Sequence, residues 1–228
     1  MADQPIVFLP GLGADERLFV SQRSRFPSLV VPRWIEPRQS EKLHDYAARM
    51  AATIEPRDNM ILGGVSMGGM VAQEIAHILK PRALVLIATC QQPAELASWI
   101  RPFVAMERFT PSFLVDNMKK FAEYGMPTMG VYEAAHKAVL LEIARDVPIS
   151  FARWAAGAIL EWRGAPAATC PVLRIHGRRD LMIRCPRIST PSPSAPQCVR
   201  IAGAGHLLNL THADAVNDSI ASWIAKFQ

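Results

Sequence analysis

The stretch MILGGVSMGGMVAQEIAHILK, residues 60–80, constrains the fold more than any other part of the chain. Residues 60–65 form an apolar run long enough for one buried strand. Residues 67–79 have helical spacing. Only Ser66 lies between them, among Gly63, Gly64, Gly68 and Gly69. Glycine loses the most backbone entropy on folding, so four of them here imply a tight turn or a close approach of backbone. The chain passes from strand to helix through a single serine.

Other short apolar runs repeat the arrangement. Residues 6–9 (IVFL), bounded by Pro10 and Gly11, read as a strand, followed by a loop and a short helix toward Arg23. Residues 29–35 are a second strand candidate, weakened by Pro32. From Ser40, its expected N-cap, SEKLHDYAARMAATI has helical spacing, with Leu43, Tyr46, Ala47, Met50 and Ile54 on one face. Residues 83–89, 172–176 and 198–202 are further strands. The last helix is expected from about Asp214 to Phe227. Continuous apolar strands alternating with helices predict an α/β fold: a mostly parallel sheet of about six strands with helices on both faces.

Residues 91–169 break the rhythm. They hold no strong strand pattern and read as short helices punctuated by proline and glycine. Much of the chain's aromatic content lies here. The expected organisation is a core domain of residues 1–90 and 170–228 with a helical cap insertion at 91–169. An insertion after a strand's C-terminal end stands over the sheet edge where α/β folds bind ligands. A second irregular stretch, RCPRISTPSPSAPQ (184–197), is too rich in proline for a regular helix.

Composition narrows the function classes. At 228 residues the chain is long enough for one domain with an inserted part, and with half of its residues apolar it can build a large core. The net charge of +5 is dispersed, its longest basic runs being pairs such as Arg178-Arg179. No basic stripe with interleaved aromatics occurs, so nucleic acid is not an expected partner. No run reaches a membrane helix, and no signal peptide is expected at the N-terminus. Cys90, Cys170, Cys185 and Cys198 show no CxxC pairing, so neither a metal site nor a disulfide framework is expected. A cytoplasmic location is the expectation.

The pattern Gly64-Val65-Ser66-Met67-Gly68 fits G-x-S-x-G between a strand and a helix, which lifts the serine to the top of the sheet. A serine hydroxyl needs a base, and the base needs an orienting group. Just past the fifth strand comes HGRRD with Asp180, and just past the sixth comes GAGHLLNL with His206.

With these segments the sequence resembles the α/β-hydrolase superfamily over nearly its whole length. LPGLG (9–13) is similar to that family's oxyanion loop and GVSMG to its nucleophile elbow. HGRRDLMI is similar to its acid segment and GAGHLLNLTHADAV to its histidine segment. The resemblance implies Ser66 as nucleophile, His206 as general base and acid, and Asp180 as orienter of the imidazole. The oxyanion hole would use the N–H groups of Leu12 and Met67. Pro10 stands where the family often has histidine, and Thr211 and Ala213 where an acid and a proline are common. The first two strands of the fuller fold are expected to be absent. The proline-rich loop replaces a helix behind Asp180.

Other residues compete for each role. Glu95, after the fourth strand, is the fallback acid, and His212 competes with His206. His176 is expected to pack near the site, and His44, His77 and His136 to be structural. Gly11-Leu12-Gly13 lacks the third glycine of a dinucleotide loop, since Glu16 occupies it. The expected activity is hydrolysis of a small carboxylic ester or thioester through an acyl-serine intermediate, without metal or organic cofactor. Trp99, Phe103, Met106 and Trp154 of the cap are the candidate substrate-binding residues. The partner is a small-molecule ester, and the protein a monomer or homodimer. A C–C or cyanohydrin lyase, an acyltransferase and a triad-retaining ligand receptor remain open.

Overall fold

A computed structural model describes residues 4–100, 102, 122–184 and 196–227. Six parallel strands form one sheet in the order β2-β1-β3-β4-β5-β6. They are β1 (Ile6–Leu9), β2 (Leu29–Val30), β3 (Ile61–Val65), β4 (Ala83–Ile87), β5 (Val172–Gly177) and β6 (Gln197–Ile201). The helices are α1 (Val20–Arg25), α2 (Leu43–Ala51), α3 (Met67–Leu79), α4 (Ala122–Gly125), α5 (Ala134–Asp146), α6 (Ile149–Glu161), α7 (Leu208–Thr211) and α8 (Ala213–Ile224), with short 3-10 turns between some of them.

The apolar strands alternate between two cores. Val7, Leu9, Leu62, Leu84 and Leu86 face a core shared with α2, α3 and α6. Ile6, Phe8, Ile61, Val85 and Ile87 face the other, shared with Leu18 and Phe19 of the 3-10 turn before α1 and with α8. All five residues of β4 are fully buried. Each such Leu, Ile or Val contributes about 1.5–3 kcal/mol of transfer free energy, which is why these runs cannot sit on one-sided strands.

Two elements differ from expectation. β2 stops at Val30, because Pro32 cannot donate to a ladder and fixes its own φ. Ser40 is not the cap of α2: it has φ +56 in a preceding turn, and Lys42 occupies the N-cap without a side-chain bond. The last helix, expected from about Asp214 to Phe227, is α8 with a 3-10 turn to Phe227, and His212 (φ −131, ψ 44) separates it from the short α7 before it. Among the described residues, 88–171 hold helices and turns and no strand of the sheet, and no helix is long and apolar enough to cross a membrane. Phe103, Met106 and most of the proline-rich loop lie outside the described residues.

Candidate active site

Ser66 sits at the end of β3, in the middle of the sheet. Its backbone (φ 54, ψ −121) lies in a region that L-residues rarely adopt. The turn is held from two sides: Ser66 N–H donates to Ile87 O at 3.0 Å, and Thr89 Oγ1 donates to Ser66 O at 2.7 Å. A side chain at Gly64 would meet the Gly68 carbonyl carbon at 2.5 Å, and one at Gly68 would meet the Leu9 and Pro10 carbonyl oxygens at 2.2 Å. Glycine on both sides of the serine therefore lets strand, turn and the loop after β1 close on one another.

Asp180 follows β5 and His206 follows β6. Their loops are tied together: Arg178 N–H donates to Ile201 O at 3.0 Å and Arg179 N–H to Ala204 O at 2.9 Å. Asp180 Oδ1 accepts from Met182 N–H at 2.8 Å and Ile183 N–H at 3.0 Å, which fixes the carboxylate. Its Oδ2 lies 2.9 Å from His206 Nδ1, and His206 Nε2 lies 3.0 Å from Ser66 Oγ. An ionised carboxylate only accepts, so Nδ1 carries the proton and Nε2 accepts from the serine hydroxyl. Burial works against the Asp180 charge. The His206 hydrogen bond and the two amides outweigh it and hold the carboxyl below its ordinary value. The structure thus brings Ser66, His206 and Asp180 into one hydrogen-bonded line at the carboxyl edge of the sheet.

Met67 opens α3, so its amide has no intrahelical acceptor. The loop after β1 makes a turn, Ala14 N–H to Gly11 O at 3.0 Å, with Leu12 between them. A Cβ on Gly11 would lie 3.9 Å from Ser66 Cβ, so this loop abuts the serine.

The alternative residues are occupied elsewhere. Glu95 takes two bonds from Arg174, at 2.7 and 3.1 Å, and one from Gln91 N–H at 2.7 Å. His212 Nδ1 meets Thr211 Oγ1 at 2.9 Å. His176 is fully buried, and burial with the neighbouring Arg174 pushes its pKa down to about 3, so it stays neutral. His44 pairs with Glu74 at 2.9 Å, and Trp162 donates to the other oxygen of that carboxylate at 2.7 Å.

The expected pocket residues part company. Trp99 is half exposed and donates to Leu181 O at 3.0 Å, beside the acid loop. Trp154 instead packs against Tyr46 of α2, with ring centroids 4.3 Å apart, and donates to Glu41 O at 2.7 Å. A cavity of about 500 Å³ opens between Gly13–Arg17, 31–36 and 146–148. Ser66 does not line it, although Gly13 belongs to the loop that abuts the serine.

Sequence reasoning missed the Arg174–Glu95 pair. The signal was present: VLRIH puts an arginine inside a mostly apolar inner strand, and a charge there demands a carboxylate. It also missed Thr89 as the hydroxyl that holds the serine's carbonyl.

The sequence profile of the alpha/beta hydrolase family matches residues 6–219. The chain belongs to that family. No curated protein matches the sequence. Solved structures share the fold at low identity. The chain is similar to a thermophilic esterase from Thermogutta terrifontis, at 21% identity and TM-score 0.68, over 98% of this chain and 90% of that one. It is similar to an esterase from Exiguobacterium antarcticum, at 16% identity and TM-score 0.71, over 97% and 92%. It is also similar to an epoxide hydrolase from Bacillus megaterium, at 12% identity and TM-score 0.72, over 97% and 93%. One alpha/beta hydrolase architecture therefore carries different chemistries, and the general class of a hydrolase-type enzyme comes from the family.

Proposed function

We propose that the protein is a serine hydrolase that cleaves a small carboxylic ester or thioester. The observation that carries the reading is the line from Ser66 Oγ through His206 to Asp180, with spacings of 3.0 and 2.9 Å. His206 Nε2 takes the serine proton as Oγ attacks the carbonyl carbon. Asp180 stabilises the imidazolium and keeps its proton on Nδ1. The N–H groups of Leu12 and Met67 stabilise the oxyanion, each worth roughly 3 kcal/mol of barrier. His206 then returns the proton to the leaving alcohol or thiol, whose bond to carbon breaks. Water, deprotonated by the same nitrogen, releases the acid and regenerates Ser66.

A serine nucleophile forms an acyl ester. It does not suit the carboxylate chemistry that opens an epoxide through an alkyl-enzyme ester. Residues 91–169 act as the cap, and Trp99, beside the acid loop, is its candidate substrate contact. Trp154 is assigned to bracing that cap on α2.

The test is turnover of a p-nitrophenyl ester series, acetate to decanoate, by wild type and Ser66→Ala. Turnover by wild type and background rates in the variant support the reading, and the best chain length sizes the pocket. Wild-type rates in Ser66→Ala overturn it. A folded wild type that turns over none of the series, yet is stabilised by a small ligand, points to the receptor or lyase alternatives.

A further inference from the structure

The segment between β4 and β5 touches each loop that carries a candidate group. Beside Asp180, Leu96 and Ile183 pair as an antiparallel bridge. On the loop after β1, a Cβ at Gly13 would stand 2.7 Å from both methyls of Val147. At the His206 loop the contact is backbone on backbone. A Cβ at Gly205 would lie 2.7 Å from Gly130 Cα and 2.7 Å from Met129 O, and one at Gly130 would lie 2.8 Å from Gly205 Cα. Met129 O also accepts from Leu207 N–H at 3.2 Å. On its other side Gly205 meets the sheet, where a Cβ at Gly177 would stand 2.3 Å from Gly205 O.

Gly205 and Leu207 flank His206. The turn that ends at Gly130 therefore grips the backbone on both sides of the imidazole-bearing residue, against the end of β5. His206 must reach two partners at once, at 2.9 and 3.0 Å, from a loop that begins after the edge strand β6. Nothing in β6 itself dictates that reach.

We propose that Gly130 and Gly205 are positioning residues for His206, and that the inter-strand segment sets the base as well as covering the site. The inference rests on the serine hydrolase reading. The contact acts through His206 and touches no substrate atom. A Cβ at Gly205 forces the two backbones apart and tilts the imidazole away from Ser66. A displacement near 1 Å at a catalytic group costs on the order of a hundredfold in rate.

The experiment compares wild type with Gly205→Ala, Gly130→Ala, Gly203→Ala and Ser66→Ala. It reads kcat and KM on the best p-nitrophenyl ester. It also reads the low-field proton resonance of the His206 Nδ1–H bonded to Asp180, which reports imidazole placement without turnover. Gly203→Ala is the control: Gly203 has φ +76, and its Cβ would approach nothing nearer than His212 Nε2 at 3.7 Å. It introduces backbone strain in the same loop without the collision. Gly205→Ala is expected to lose about tenfold or more in kcat with KM within about twofold, while Gly203→Ala stays within about twofold in both. The low-field resonance is expected to shift in Gly205→Ala and to stay in place in Gly203→Ala.

Gly130→Ala reads the same contact from the other backbone if Gly205→Ala does not fold. Wild-type kcat and an unmoved resonance in either folded variant overturn the proposal. So does an equal loss in Gly203→Ala, or failure of both Gly130→Ala and Gly205→Ala to fold, which would make the contact structural. Undiminished activity in Ser66→Ala overturns the underlying reading instead, and the resonance still reports on the contact.

Discussion

Arg174 of β5 and Glu95, just after β4, form a two-pronged ion pair at 2.7 and 3.1 Å beneath the candidate site. The guanidinium is nearly buried, with its side chain 6% exposed, and a third bond runs from it to Thr89 O at 3.3 Å. The pair links the strand that leads to Asp180 with the loop that holds the Ser66 carbonyl. Glu95 O accepts from Arg184 N–H at 2.7 Å and Met182 O from Ala97 N–H at 2.9 Å, so the acid loop is bound to this pair through the backbone.

Removing one partner is expected to be worse than removing both. Glu95→Gln leaves a buried guanidinium without its counter-charge, and losses of about 3–5 kcal/mol follow when one member of a buried pair is deleted. Arg174→Met with Glu95→Gln should recover part of that. Urea midpoints of the two single variants and the double variant check the sign of the coupling.

Asp180→Asn keeps the shape of the acid and removes its charge. The asparagine amide stabilises the wrong imidazole tautomer, and kcat on an ester substrate is expected to fall by on the order of 10⁴-fold with little change in KM. Glu95→Gln, whose carboxylate does not meet His206, is expected to keep far more activity. Steady-state kinetics on both variants test the assignment of the acid.

His176 makes native stability depend on pH. Its folded pKa, about 3, lies below the ordinary 6.5, because burial and Arg174 oppose the imidazolium. The unfolded chain therefore binds the proton first as pH falls. The stability this neutral histidine contributes is complete above its ordinary value and is lost progressively from there down toward pH 3. Thermal midpoints from pH 7 to pH 4 are expected to fall less steeply in His176→Gln than in wild type.

Asp180 adds to the same trend at lower pH, since its folded pKa is also depressed. Its contribution is present above the ordinary carboxylate value and disappears as pH falls through the folded one. Comparing Asp180→Asn with wild type below pH 4 separates the two groups by window.

Trp154 is expected to report on stability and not on substrate. Its ring packs on Tyr46 and Phe151, at 4.3 and 5.5 Å between centroids. Trp154→Ala is expected to cost about 3 kcal/mol in denaturant unfolding, and Trp154→Phe, which loses the bond to Glu41 O and part of the ring packing, less than that. KM across the ester series is expected to hold in Trp154→Phe. A changed chain-length preference there would return the residue to the pocket wall.

Much of this fold was legible in the sequence because its signals are local. Continuous apolar runs marked β1, β3 and β4, since a strand covered on both faces has few polar positions, and β5 departs from that pattern only at Arg174 and His176. The glycines around Ser66 marked the turn, since only a residue without a Cβ lets backbone pass at the distances found there. Ser66, Asp180 and His206 were legible by type and order, each just past a strand. The sequence could not reveal that Trp154 turns to α2 or that Arg174 pairs with Glu95. It also hid the turn at Gly130 that presses on Gly205. Those facts join residues 75 to 113 positions apart, and their side chains and backbones meet only once the sheet order brings their elements together. Local pattern determined which elements form and which chemical groups stand at their ends. Packing between distant segments decided which of those groups touch, because contact distance is a property of the assembled layers and not of spacing along the chain.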